Sequence, residues 1–285
     1  MPGRDWPRIL TAVMKQAGGC MNIIFVVGNR FREFATNEGV RTISDIEGMI
    51  RAEELKHLPP DTRLVAGQGL REVDIRRIGK VVQRLARSSQ DGGIAFEPRP
   101  VRAGLLLTHK YQLQNSIVST PERLSDDLFE STLLLDERSE LMNDHQTGQH
   151  IQGMVLIEAS RQMFLAVTEE YFIGYDDPTR YYSMDAAFTA FVFPMEATLR
   201  YEIVKKRVDN RARMYFRIVI AVMQAGKCAT RISYEFTAFH ADRIEAKERE
   251  QAAAAVSFVR EACQAQALSV EFAQTAENDD VRAIA

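Results

Sequence analysis

Three observations predict an α+β protein in which an antiparallel sheet wraps around one central helix, with a small α/β segment before it and a C-terminal helical tail after it. The stretch from Ile151 to about Tyr171, IQGMVLIEASRQMFLAVTEEY, is apolar on nearly every side until Glu169 and Glu170. A helix with no polar face has to be enclosed by protein. Strand-like runs of alternating or continuous apolar character lie on both sides of it, two before and four after. Only one such helix occurs and no fixed-period repeat is visible, so one sheet-and-helix unit is expected.

Taken in order, Ile23 to Val27 is a continuous apolar run closed by Gly28-Asn29, which reads as a buried strand and a turn. Thr42-Ile43-Ser44-Asp45 supplies N-cap chemistry for a helix to about Arg51, and Pro59-Pro60 forbids its continuation. Arg63 to Ala66 reads as a short strand and Gly67-Gln68-Gly69 as a turn. Asp74 to Arg87 reads as an amphipathic helix with Ile75, Ile78, Val81, Val82 and Leu85 on one side. Residues 22–98 are thus expected to be a small α/β domain, with Ser88 to Gly93 as a linker. Residues 1–21 read as an N-terminal extension, because Met21 directly precedes the strand-like NIIFVVG. A strand running into Gly28 is where a dinucleotide motif would begin. GNRFREF lacks the G-x-G-x-x-G spacing, however, and GQGLRE carries only its first half, so a structural or docking role is expected.

The sheet is expected to start with LLLTHKYQLQNSIVS from Leu105 and FESTLLL from Phe129 to Leu135, on either side of the Pro121 region. Beyond the helix, strands are expected at Met184 to Phe193, Thr198 to Lys206, Met214 to Met223 and Cys228 to Phe239. Gln224-Ala225-Gly226-Lys227 forms the hairpin connection between the last two. This unit occupies residues 99–242. From residue 243 a helix-forming run, IEAKEREQAAAAVSFVREACQAQAL, leads to an end that should fray.

A length of 285 residues with 46% hydrophobic and 26% charged side chains can bury a substantial core. The formal net charge of -3 gives no global attraction to nucleic acid or to anionic membrane. Cys20, Cys228 and Cys263 lie far apart without C-x-x-C spacing, so neither a disulfide framework nor a zinc knuckle is indicated. The opening residues make no convincing export signal, and no stretch reaches the roughly 18 uninterrupted apolar residues of a membrane span. A cytoplasmic protein with no nucleic-acid or membrane partner is expected.

Within the enclosed helix, Glu158, Arg161 and Gln162 stand at i, i+3 and i+4 and form one polar stripe. A buried carboxylate has to be paired, hydrogen-bonded or protonated. The stripe therefore reads either as an internal Glu158-Arg161 ion pair that anchors the helix or as part of a catalytic site. The preceding loop, NDHQTGQH, adds His145 and His150, side chains suited to proton transfer near neutral pH. His145 is the favoured base and His150 its competitor. Gly153, at the helix start, would expose main-chain N-H groups to a carbonyl oxygen. Those two histidines with Glu158 do not match H-E-x-x-H, so no metal is assigned. His109-Lys110 can bind phosphate, although such a pair usually forms a solvated edge. Arg200, Lys205, Lys206 and Arg207 read as the polar face and end of a strand.

His145, Gly153 and Glu158 in DHQTGQHIQGMVLIEASRQ resemble the active-site segment of the β-hydroxyacyl-carrier-protein dehydratases, a hotdog family in which a loop His precedes a P-G-V-L-x-x-E-A-x-x-Q helix. Here Gln152 replaces the Pro and the His-to-Glu spacing is one residue shorter. A closer resemblance, over about residues 105 to 240, is to the A-factor biosynthesis (AfsA-type) hotdog family. It rests on His109-Lys110, Asn115, Ser119-Thr120-Pro121, Phe129, Asp144-His145 and, above all, Glu158-Ala159-Ser160-Arg161-Gln162. Founding members look like two hotdog units in tandem, whereas this chain shows one. The resemblance implies transfer of a β-ketoacyl group from an acyl-carrier-protein (phosphopantetheine) or CoA thioester to a hydroxyl acceptor such as dihydroxyacetone phosphate. The product would be a γ-butyrolactone-type signal or specialised metabolite, with no tightly bound cofactor. His145 and Glu158 would be catalytic, Glu158 as acid or as an orienting group, and Gly153, Arg161, Gln162 and His150 would bind substrate. Dehydration or hydrolysis of the same thioesters and non-catalytic acyl binding are the alternatives. A lone hotdog leaves an edge strand exposed, so a homodimer is expected.

Overall fold

The computed structural model describes residues 22–59, 62–88, 93–97, 99–143, 147–173, 180–210, 213–239, 249–254 and 256–257. Described residues up to Ala238 form one unit. Those from Phe239 onward belong to a second, in which 249–254 and 256–257 are helical. The first unit opens with a parallel sheet of β1 (Ile23–Val27), β2 (Val40–Thr42), β3 (Arg63–Ala66) and β4 (Ala95–Phe96), in the order β2-β1-β3-β4. Parallel neighbours need crossovers, and the helices Ile43–Arg51 and Glu72–Ser88 provide two of them. Thr42 starts the first. Its hydroxyl accepts from the Asp45 N-H at 3.2 Å while its own N-H donates to the Asp45 carboxylate at 2.8 Å. The second helix buries Ile78 and Val82 against Ile24, Val26, Leu64 and Leu70.

The second sheet is antiparallel: β5 (Glu122–Arg123), β6 (Leu128–Thr132), β7 (Arg180–Phe188), β8 (Thr198–Asn210), β9 (Arg213–Gln224) and β10 (Lys227–Phe239), in the order β5-β6-β8-β9-β10-β7. Register shifts in β8 at Ile203/Lys205 and Val208/Asn210 mark bulges that bend this long strand. The β9–β10 hairpin turns at Ala225 (φ 48) and Gly226 (φ 73), and two successive positive φ values match the twist of the flanking strands. The central helix, Gly153–Thr168, packs on this sheet, with the Phe164 ring 4.6 Å from Phe236 and 5.1 Å from Tyr234. From Met154 onward it is buried except at Met154, Ile157, Glu158 and Arg161, so two members of the polar stripe lie on its one accessible line while the third, Gln162, is buried.

Three expected strands are shorter or absent. LLLTHKYQLQNSIVS forms a helical turn at Leu105–Thr108, a left-handed His109 (φ 52) and a 3-10 turn at Leu113–Asn115. Backbone groups in its middle find a side chain: Gln162 Nε2 donates to Asn115 O and its Oε1 accepts from Ile117 N, both at 2.8 Å, while Val118 and Ser119 at its end form single bridges to Leu133 and Arg102. The run to Leu135 leaves the ladder after Thr132, and the run to Phe193 leaves it after Phe188. Two further glutamines take over there. Gln68 donates to Leu133 O (2.9 Å) and Met195 O (3.1 Å) and accepts from Leu135 N (2.8 Å). Gln224 accepts from Phe193 N (2.8 Å) and donates to Phe193 O (3.0 Å) and Glu196 O (3.1 Å).

Gln68 is also the joint between the two sheets. The carboxyl ends of neighbouring parallel strands are where an open sheet usually takes a ligand, and here that space is filled. Gln68 N donates to Pro194 O and Gly69 N to Leu135 O. A Cβ on Gly28 would lie 2.2 Å from Gly69 O, and one on Gly67 would lie 2.4 Å from Pro194 O. GNRFREF and GQGLRE are thus docking sequences. Beside the joint, Glu196 Oε2 and the Arg99 guanidinium nitrogens are buried without a hydrogen-bond partner. Burial, reinforced by Glu130, pushes the Glu196 carboxyl up to about 7.

Replacing Gln68 by Leu strips partners from two buried carbonyls and one N-H, and should lower stability by about 2–4 kcal/mol in urea unfolding. Because the Glu196 pKa is raised on folding, its contribution is complete below about pH 4.5 and is lost as pH rises through about 7. Stability should fall across that window, and Glu196→Gln should flatten the slope.

Candidate functional site

Two groups of polar side chains flank the central helix. In the first, the Glu158 carboxylate accepts from four donors: Arg161 Nε (2.9 Å) and a second Arg161 nitrogen (3.1 Å), Gln162 Nε2 (3.0 Å), and Lys110 Nζ (2.7 Å). The helix delivers Arg161 and Gln162 by spacing alone. Lys110 arrives because His109 adopts the left-handed conformation that ends the preceding helical turn. The His109 ring turns the other way, its Nε2 lying 2.6 Å from the buried Glu169 carboxylate. His109-Lys110 is therefore a clasp on the central helix and not a solvated edge. Burial works to raise the Glu158 carboxyl, and the bonds from Arg161, Lys110 and Gln162 outweigh it, leaving it below the usual carboxylate range. Such a carboxyl has no proton to give at neutral pH, so the expected acid role has no support in this environment.

The second group surrounds an apolar cavity of about 980 Å³ at the amino end of the helix, lined among others by Gly153, Leu156, Phe188, Phe191, Phe193 and Met195. Its volume and apolar walls are those of a small-molecule site. His150 stands on its wall, the ring packed 4.7 Å from Phe191 and Nδ1 facing the Thr147 hydroxyl at 3.4 Å. Lys227 lines the cavity as well. Gly153 does too, and its missing side chain leaves room for the Phe188 ring, from which a Cβ there would lie 3.1 Å.

The residues singled out in the sequence thus fall into two sets. Glu158, Arg161 and Gln162 come together, joined by Lys110, while His150 and Gly153 share the cavity. Glu158 stands five positions after Gly153, which places them about 140° apart around the helix axis. His145 lies outside the described residues. The sequence reading missed Lys110 as a partner of Glu158 and missed the cavity aromatics. FTAFVF, Phe188 to Phe193, reads as the end of a strand, although its three phenylalanines do not alternate.

Among the described residues no helix is long and apolar enough to cross a membrane, and no group of three or more His, Cys, Asp or Glu could hold a metal. Among curated proteins, none matches this chain. In structure the chain is similar to a hypothetical thioesterase solved with coenzyme A from Streptococcus pneumoniae TIGR4 (15% identity, 42% of this chain and 84% of that one, TM-score 0.30). It is likewise similar to AziG from S. sahachiroi (16% identity, 43% and 91%, TM-score 0.31) and to a thioesterase from Haemophilus influenzae (12% identity, 42% and 77%, TM-score 0.29). Residues 95–240, just over half of the chain, match the A-factor biosynthesis hotdog domain. With its six-stranded antiparallel sheet around one enclosed helix, the chain belongs to the A-factor biosynthesis hotdog family.

Proposed function

We propose that this protein is an acyltransferase that moves an acyl group, of the β-ketoacyl type, from a carrier-protein or coenzyme A thioester to a small hydroxyl acceptor such as dihydroxyacetone phosphate. The observation that carries this reading is the apolar cavity at the amino end of the enclosed helix with a histidine on its wall. The acyl tail would lie among Phe191, Phe193 and Met195. The thioester carbonyl would point to the N-H groups of Gly153 and Met154, which lead the helix at the positive end of its dipole; the next, Val155 N, already donates to Gln152 O at 3.1 Å.

Thr147 engages His150 Nδ1, which leaves Nε2 as the nitrogen that accepts the hydroxyl proton. The hydroxyl oxygen then bonds to the carbonyl carbon, the C–S bond breaks, and the proton passes to the departing thiolate. His145 is the rival base. In this reading Glu158 stays ionised and positions Lys110 and Arg161, a supporting role. β7 pairs with β10 on one side, and Met184 and Phe188 on it are exposed. Its free edge is proposed to pair with the same strand of a second copy, and light scattering should then give a dimer mass.

Incubation with β-ketoacyl-carrier-protein and dihydroxyacetone phosphate should yield the ligated ester by mass spectrometry; water loss or hydrolysis alone would overturn the transfer reading, and bound but unreacted thioester would leave only acyl binding. His150→Ala should lower turnover by roughly 10²-fold or more. Glu158→Gln leaves two half-buried cations without their carboxylate, and should cost about 1–3 kcal/mol of stability while lowering turnover less than His150→Ala does.

A further inference from the structure

The segment between β1 and β2 is not absorbed by the acyl site, yet it grips the loop that leads into it. Phe34 N donates to Gly148 O at 3.1 Å and Gln149 Nε2 donates to Glu33 O at 3.0 Å. An Arg30 guanidinium nitrogen donates to Asn143 Oδ1 at 3.2 Å, and Asn29 N donates to the Glu137 carboxylate at 3.0 Å. Gly148 makes this grip possible. It is left-handed (φ 73), and a Cβ on it would lie 3.1 Å from Arg30 O and 3.3 Å from Glu33 Cγ. The Phe34 ring, 7% exposed, stacks on Phe193, a wall of the cavity, at 5.8 Å and 21°. Two residues beyond Gly148 comes His150.

We infer that residues 29–35 are a positioning element for the rim of the cavity, and that Phe34 and Gly148 are its positioning residues. The α/β half is then part of the acyl site and not a separate recognition module. Its strand ends dock on the hotdog through Gln68, and the turn that follows β1 reaches past that joint to fix the backbone carrying His150 and the ring of Phe193. Without this grip, Ile151, bridged to Val192, is the next described backbone tie before the helix begins. Displacing a catalytic group by an ångström costs about a hundredfold in rate, so a loop held at this point decides whether His150 can serve.

The inference rests on the proposed use of His150, and its test separates the two. Gly148→Val introduces a β-branched side chain where φ is positive; Gly48→Ala, on a helix where a Cβ meets nothing within 4 Å, is the control. The first readout is the NMR position of the His150 ring proton, assigned by its loss in His150→Asn and displaced in the wild type by the Phe191 ring. The second is kcat against KM with an acyl-pantetheine thioester. In Gly148→Val the resonance should leave its displaced position and kcat should fall by about a hundredfold with a smaller change in KM, with Gly48→Ala unchanged. A His150 resonance that stays in place in folded Gly148→Val overturns the inference. If Gly148→Val does not fold, Gln149→Ala, which removes the bond to Glu33 O, should move the resonance in the same direction, and no movement overturns it. A resonance that moves as expected in a protein whose wild type has no acyl turnover upholds the positioning and removes the acyltransferase reading alone.

Discussion

Enclosing a helix that is apolar on nearly every side is the constraint on which the rest of this structure depends. The bent antiparallel sheet covers the helix where Phe164 meets Tyr234 and Phe236. Segments on its other flanks run as irregular backbone, and irregular backbone buried away from water needs partners. Gln68, Gln162 and Gln224 supply them. Each is at most 8% exposed and bonds main-chain N-H and C=O groups. A primary amide carries both a donor and an acceptor, so it can stand in for a neighbouring strand at a point where no strand fits.

The same requirement explains the α/β half. Its parallel sheet ends in glycines whose missing side chains let Pro194 O and Gly69 O approach, so the crevice that would otherwise bind a ligand becomes a joint. Val27, Phe31, Phe34 and Val40 share a continuous core with Ile117, Leu135, Val155 and Val192 of the hotdog. The two sheets form one packed structure.

Much of this was legible in the sequence because it depends on local pattern. The N-cap chemistry at Thr42 to Asp45, the Ala225-Gly226 turn, the enclosed helix and its i, i+3, i+4 polar stripe all follow from short spacings. What was not legible depends on partners remote in the chain. LLLTHKYQLQNSIVS has strand-like composition, and its irregular path is held by groups remote in the chain, Gln162 and Leu134 among them. The Lys110 contact with Glu158 spans 48 residues and requires His109 to be left-handed. The approach of Phe188 to Gly153 is remote in the same way: a ring from β7 lies against the space that the missing side chain leaves.

At the site, the geometry divides labour across the helix. One face fixes an ionised carboxylate between two cations, and the amino end opens on an aromatic-walled cavity beside His150. Photolabelling with a medium-chain acyl-pantetheine that carries a diazirine at the end of its acyl tail tests this assignment most directly. Labelling confined to the peptides that line the cavity, above all the one holding Phe188, Phe191 and Phe193, and competed away by unlabelled acyl thioester, is the expected result. Labelling elsewhere on the chain, or labelling that competitor does not reduce, would contradict it.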